Sequence, residues 1–537
     1  MSSLARATAV MSFGTVLSRL TGLLRLVAIA AALGVVESER LADTYNYGNT
    51  APNIIYELVL GGVLTSVFVP VFVELLEKEG RERAWQVASA VINVSMVVLV
   101  VIATAAILAA PLLAKFYSSR LGPEAAAAQE EVLTFLLRLF IPQIIFYALA
   151  AITAGLLNAH KRFGAPMYTP ILNNLAVIAV FIAFRQAYAG SDLDLDSVTT
   201  SQLLLIGLGT TVGVVLMALA QLPFLRGLGR YRLTFSLKHP SVRKLARLST
   251  FVVGYVVTNQ IGYLVVQWLA NRQTGGYSSY VYAFMFFMLP HGLFAVSVIT
   301  ALLPGMSEHA VNERWDLFRD RLSTGIRSTF LLILPAAVGF FVLGEAIVRL
   351  LIEHGIATAR STELVSGVLR FFVIGLVPFA LFQLFLRAFY ALQDTKTPFL
   401  INCGAVGLNT AINIPMFAWL GVKGLAAGHA IAYIFGVILQ AKVLSRRIGG
   451  LDRRRITASG IRIGIAGAGM GVVVWLALQG MEAVVDETSL WGQALVTLVP
   501  VVFGVATFAG LALLLKVEEL AYVKGLITKR FRPQSAA

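Results

Sequence analysis

Cysteine and charge are what this sequence has least of. A single cysteine, Cys403, occurs in 537 residues. It lies inside an apolar run, which excludes a disulfide framework and a cysteine-based metal centre. Charged residues are 13% of the chain, where a soluble domain carries about 25%. Acids are the scarcer sign, 28 against 43 Lys and Arg, for a formal charge of +15. The chain has no GxSxG, HExxH or Walker-type loop and no close carboxylate pair in a loop, so no enzyme constellation is present. Any work it does draws on a gradient or a potential rather than on ATP bound by this chain. The positive excess does not imply a nucleic-acid partner: it sits in short loops between apolar runs, where cytoplasmic loops meet anionic head groups. Arg19 and Arg25 interrupt the first apolar segment, which a cleavable signal would not tolerate.

What is abundant is hydrophobic surface, 58% of residues, with a mean hydropathy of +0.80. Runs of 18 or more apolar residues recur along the chain, each long enough to cross about 30 Å of hydrocarbon as a helix. Lipid offers no partners to the backbone, and the runs lack the short alternation of barrel strands, so the expectation is all-α. Fourteen spans are expected, at roughly 9–35, 45–75, 85–114, 131–157, 165–185, 202–225, 245–271, 278–305, 322–352, 364–391, 397–419, 423–444, 456–479 and 490–516. Basic loops (Lys78/Arg81/Arg83, Lys161/Arg162, Arg446/Arg447) alternate with acidic or neutral ones (Glu37/Glu39, Glu124/Glu130/Glu131, Glu482/Asp486/Glu487). This bias predicts a multi-pass membrane protein with both termini in the cytoplasm.

Segments 137–166 and 369–398 align without a gap: Leu137, Arg138, Phe140, Ala148, Leu149, Ala159 and Pro166 meet Leu369, Arg370, Phe372, Ala380, Leu381, Ala391 and Pro398. Pro70 and Glu74 likewise face Pro304 and Glu308. Corresponding spans are six apart, which predicts two parallel-repeat six-helix lobes, 1–230 (spans 1–6) and 231–450 (spans 7–12). Residues 451–537 follow with spans 13 and 14 and a basic tail. Two lobes around a central cavity are a transporter plan, able to expose one site alternately to each side.

Polar residues within spans mark candidate sites, because they are costly against lipid. Arg19 and Arg25 are six residues apart, so they project about 120° apart on one helix. Arg25 lies near mid-span and must look inward, where its fork of donors suits phosphate; Arg19 either joins it or reaches the interface. Span 2 carries Asp43, Asn53 and Glu57, with a Pro52-Asn53 kink; Glu57 either pairs with Arg25 or faces the cavity. Span 7 adds Thr258, Asn259, Gln260 and Gln267, of which Gln267 reads as interhelical glue. Asn409 and Asn413 share a face of span 11, and His429 lies in span 12. These three either pack as polar helix contacts or hold a coupling monovalent cation, Na+ or H+. No other cofactor and no metal is expected.

Several of these residues carry a resemblance. Ser18-Arg19 with Gly22 and Arg25, Asp43 with Pro52-Asn53, Phe68-Val69-Pro70, Gly155 to Asn158 with Arg162-Phe163 and Ala165-Pro166, Ile347 to Gly355, and Phe389 to Pro398 (FYALQDTKTP) resemble, in order and spacing, the MurJ/MviN lipid II flippases of the MOP superfamily. The resemblance covers roughly residues 5–450 and extends to the number of spans. It implies a fourteen-helix flippase with a central cationic cavity that carries undecaprenyl-pyrophosphoryl-MurNAc-pentapeptide-GlcNAc from the inner to the outer leaflet, and last two helices that form a lipid-side groove. It places Arg19, Arg25 and Asp43 on functional positions, and it implies lipid II as partner and contact with cell-wall synthesis machinery. The chain departs from the family pattern at Leu26, Tyr56-Glu57 and Phe284-Met285, where one acid and two cavity cations are missing. A Wzx-like flippase for another polyprenyl-linked oligosaccharide and a MATE-like antiporter are the alternatives.

Overall fold

In the computed structural model the described residues are 3–61, 69–191, 193–235 and 240–520. Among them every regular element is helical. Eleven helices are long and apolar enough to cross a membrane, twelve when a pair bent by 48° counts as one. Fourteen were expected. The other two, 45–75 and 245–271, reach into residues or side chains outside the described set.

The chain divides into two compact units, Met1–Ser278 with Gly355–Ala357, and Ser279–His354 with Thr358–Ala537. The first holds α1 (Ser3–Leu33), α2 (Leu41–Tyr56), α3 (Val69–Lys78), α4 (Gly80–Leu108), α5 (Ala110–Ser118), α6 (Pro123–Phe140), α7 (Gln143–Ala159), α8 (Gly164–Ala187), α9 (Thr200–Leu219) and α10 (Pro240–Ala270). It also takes the first turn of α11 (Gly276–Pro290). The second contains the rest of α11, then α12 (Val296–Val311), α13 (Trp315–Ile352), α14 (Ala359–Ile374), α15 (Leu376–Ala391), α16 (Lys396–Leu420), α17 (Val422–Arg447), α18 (Arg453–Val484) and α19 (Leu490–Leu514).

In the first unit α1 lies along α8. Asn174 donates to the Ser18 carbonyl at 3.2 Å and to the Thr21 hydroxyl at 3.0 Å, so a polar pair pins two otherwise apolar helices. In the second, α18 and α19 pack on each other and on the long α13. Leu343, Ala346, Met470, Val474, Leu478 and Val496 form the buried contact. A Cβ on Gly504 would lie 2.6 Å from Val474 and one on Gly469 2.6 Å from Leu511; glycine at both places lets the two helices approach. The outer faces of this pair are left exposed and apolar, with Val472, Trp475, Leu476, Leu498 and Val502, as lipid-facing surfaces are.

Ion pairs fix both ends of the α18–α19 hairpin to α13. At one end Arg349 pairs with Glu487 and, at 3.3 Å, with Glu345. At the other, buried Arg327 pairs with buried Glu519, just beyond α19.

The two aligned segments end in the same backbone turn. After α7, the Arg162 amide donates to the Leu157 carbonyl and that of Lys161 to Asn158; after α15, Asp394 donates to Phe389 and Gln393 to Tyr390, all at 2.8–3.0 Å. Lys161 (φ 59°) and Gln393 (φ 56°) are both left-handed, closing each helix with the six-to-one bond of a Schellman turn. Each bond lies 232 residues from its counterpart, the offset of the sequence alignment. A second feature recurs as well. α2 widens into a π-helical turn at Glu57–Gly61, five residues past Pro52, and α11 widens at His291–Ala295, directly after Pro290. These turns start 234 residues apart, the offset between Pro70 and Pro304. A proline leaves a carbonyl without its amide partner, and a widened turn is one way to accommodate the break.

Candidate functional site

Arg25 is half-buried and Arg19 exposed, as their 120° separation on one helix allows. Among the described residues neither makes an ion pair. Glu57, half-buried at the start of the π-helical turn, is not paired with Arg25; it acts electrostatically on neighbouring Tyr56 instead. Arg25 lies close enough to act electrostatically on the phenols of Tyr45 and Tyr147. Tyr45 is fully buried, its hydroxyl held by Thr210 at 2.9 Å and its ring edge-on to Phe140 and Phe181. Tyr147 lies near the Asn53 side chain, and its ring centroid is 6.2 Å from that of Tyr56. Helices α1, α2 and α7 thus bring Arg25, Asn53, Tyr56 and Tyr147 together. The half-buried guanidinium has lost part of its hydration, and among the described residues no carboxylate pairs with it.

Asp43 has a different setting. It is fully buried, and its Oδ1 accepts the Ser278 amide at 2.7 Å, at the N-terminal turn of α11. Asn46 donates to the Ser278 hydroxyl at 2.8 Å. The contact belongs to a wider buried network. The Tyr47 ring stacks on Tyr277 with centroids 4.2 Å apart, and its hydroxyl donates to the Gln267 carbonyl. The Gln267 side chain accepts from Tyr117 at 2.9 Å and donates to Tyr277 at 2.6 Å. Asn271 and Gln129 bond reciprocally at 3.0 and 3.2 Å, and Arg40 donates to the Asn271 carbonyl at 2.9 Å. Gln267 is therefore the interhelical glue expected of it. Asn259 stays on its own helix, donating to the Tyr255 carbonyl one turn back at 2.8 Å.

The trio Asn409, Asn413 and His429 does not assemble. The two carboxamides bond each other, at 3.1 and 3.4 Å, packed where Gly428 leaves room for them. His429 is the next residue on α17 and points about 100° away. Its ring sits among Phe284, Phe287, Phe372 and Tyr433, with centroids 4.7–5.8 Å away, and its Nε2 has no hydrogen-bond partner. Among the described residues no group of three or more His, Cys, Asp or Glu is placed to hold a metal.

Comparison with known proteins places these residues in a family. Residues 29–492 match the family described as lipid II flippase MurJ. The chain belongs to the lipid II flippase MurJ family. A probable lipid II flippase MurJ of Rhizobium meliloti (strain 1021) is 29% identical over 477 residues, which cover 89% of this chain and 87% of that protein. A lipid II flippase MurJ of Burkholderia cenocepacia is 28% identical over 533 residues, 95% of this chain and 98% of that one. Among solved structures, a lipid II flippase MurJ in an inward closed conformation superposes with a TM-score of 0.75 at 23% identity, covering 94% of this chain and 97% of that one. An inward-facing multidrug resistance MATE family transporter of the MOP superfamily gives 0.64 at 13% identity, over 80% and 94%. These two likenesses establish the fold.

As a MurJ family member the chain is a multi-span membrane protein from a family of flippases, not of catalytic enzymes. Nothing in the sequence singles out Tyr147 and Tyr45, because an aromatic residue in an apolar span reads as packing. Tyr56 had a signal: it stands where the family pattern has an arginine.

Proposed function

We propose that this protein moves lipid II from the inner to the outer leaflet of the bacterial inner membrane by alternating access. The observation that carries the reading is Arg25. In a chain that matches the MurJ family over residues 29–492, a half-buried arginine without a carboxylate partner faces the residues on which a pyrophosphate would rest. Arg25 and Asn53 bind the anionic head group, with Arg19 at the entrance and Glu57 and Asn259 on neighbouring helices. Asp43 acts from behind, by holding the first turn of α11. The polyprenyl tail stays in lipid.

The recurring turns after α7 and α15, and the paired π-helical turns, support fourteen spans arranged as two six-helix lobes plus a terminal pair. The alternating loop charges support cytoplasmic termini. An inside-negative potential favours outward movement of an anion by about 2.3 kcal/mol per charge per 100 mV. Coupling to a monovalent cation, Na+ or H+, also belongs to the reading. It requires the Asn409–Asn413 pair to open, since each amide oxygen now faces the other's NH2 group. Exchange of Na+ for K+ should then shift the thermal stability of the wild type but not of Asn413→Ala; equal behaviour of the two proteins removes the cation from the account.

The direct test is reconstitution into liposomes carrying fluorescent lipid II, with a membrane-impermeant quencher added outside. Transport brings the inner-leaflet half of the fluorescence within reach of the quencher, and Arg25→Ala slows this at least tenfold. Protection of the inner half, equal to that in protein-free vesicles, overturns the reading.

A further inference from the structure

We propose that a cavity between α13, α18 and the segment that follows α19 binds the polyol head group of an anionic phospholipid. The cavity belongs to the second unit alone, and the inference does not depend on the flippase reading. Arg327, Arg455, Ser459, Arg462, Glu518 and Glu519 line it. Its volume is about 80 Å³, several times the roughly 10–15 Å³ that one water needs. Arg455, Ser459 and Arg462 recur at i, i+4 and i+7, on one face of α18. Buried polar atoms normally have partners, yet Arg327 Nε, Glu519 Oε2 and Ser459 Oγ find none among the described residues. Their side chains are only 8%, 4% and 7% exposed. The guanidinium nitrogen can only donate, the carboxylate oxygen can only accept, and the hydroxyl does either. A bare phosphate would serve the arginine and repel the carboxylate; an ammonium would do the reverse. A hydroxyl serves both, so the wall calls for a ligand with hydroxyl groups.

The charges around the cavity add the anion. Arg327 and Glu519 neutralise each other, and exposed Glu518 lies 3.6 Å from the same guanidinium. Arg455 is shared between Asp320 and Asp452 at 3.7 and 3.6 Å. Arg462 donates to the Lys516 carbonyl at 3.2 Å and pairs with no carboxylate among the described residues, which leaves its charge for a phosphate. The place suits a lipid. A basic loop with Arg446, Arg447, Arg453 and Arg454 leads into α18, so this end of the helix lies at the level of head groups. Exposed Ile461, next to Arg462, and exposed Leu514, at the end of α19, offer apolar surface to the acyl chains.

The test uses the full-length protein in detergent, stripped of lipid, and measures binding of phosphatidylglycerol and phosphatidylethanol by native mass spectrometry. The two head groups carry the same charge, and only the glycerol bears hydroxyls. The wild type should bind phosphatidylglycerol about tenfold more tightly, as added hydrogen bonds to charged groups allow. Ser459→Ala removes one hydroxyl from the wall without breaking a bond within the protein. It should leave the unfolding temperature unmoved and narrow the preference to about threefold or less. Arg462→Gln should weaken both lipids by a similar factor, because it removes the phosphate contact they share. Equal wild-type affinities for the two lipids, or a preference that Ser459→Ala leaves intact, overturn the proposal and leave the cavity to water. Displacement of bound phosphatidylglycerol by an excess of free glycerol phosphate makes a soluble ester the occupant and overturns the lipid assignment.

Discussion

The carboxylate of Asp43 accepts the backbone amide of Ser278 at 2.7 Å, deep in a fully buried setting. It ties α2 to the first turn of α11, and the positive end of the helix dipole lies on the same side. Replacing Asp43 by Ala strips a buried amide of its acceptor, at a cost of about 2–3 kcal/mol. The expected outcome is a marked fall in unfolding temperature in detergent for Asp43→Ala and a smaller one for Asp43→Asn, which keeps an acceptor oxygen. Wild-type stability in Asp43→Ala would remove the structural role assigned to this residue.

A second buried contact, Arg327 with Glu519, fastens the chain beyond α19 to α13. Removing Glu519 leaves buried Arg327 only the exposed Glu518, 3.6 Å away, and an under-compensated buried charge costs up to about 3–5 kcal/mol, whereas replacing both members of the buried pair by apolar residues is often neutral. Glu519→Leu should therefore destabilise strongly, and the pair Arg327→Met with Glu519→Leu should recover most of the loss. Thermal unfolding of the three proteins decides; a double variant as weak as the single one contradicts the buried-pair account.

Acid should act through Asp394, in the repeated turn between α15 and α16. Burial pushes its carboxyl up, but hydrogen bonds from Thr397 and the charge of Arg447, 2.5 Å away, outweigh this and hold it below the ordinary carboxylate range. The stabilisation is thus complete above the ordinary range and is lost as pH falls through the lowered value. The stability advantage of the wild type over Asp394→Asn should stay constant from about pH 6 to 8 and shrink below about pH 4. A difference that persists unchanged into strong acid would show that the charge of Asp394 is not what stabilises the turn.

The parts of this architecture that rest on periodicity and solvation could be read in the sequence, and those that rest on register between helices could not. Long apolar runs and a charge deficit already imply a helical membrane protein. The segments aligned at an offset of 232 residues, through identities such as Phe140 with Phe372, end in the same turn at Lys161 and Gln393, a turn that also closes helices at Glu313 and Lys516. The i, i+4 spacing puts Asn409 and Asn413 on one face of α16, where they bond each other. No spacing rule relates α16 to α17, so the direction of His429, into an aromatic cluster, was out of reach. The inward setting of Arg25 follows from the cost of a bare cation in lipid. That Glu57 leaves it unpaired, and that Tyr147 and Asn53 stand beside it, follows only from how α2 and α7 pack.

The central claim is tested most directly in cells, by depleting the protein from a host without a redundant flippase and measuring lipid II in the outer leaflet. The account predicts that lipid II accumulates on the inner face and disappears from the outer one, that wild-type protein restores it, and that Arg25→Ala does not. Lipid II reaching the outer face at its normal rate after depletion would contradict it.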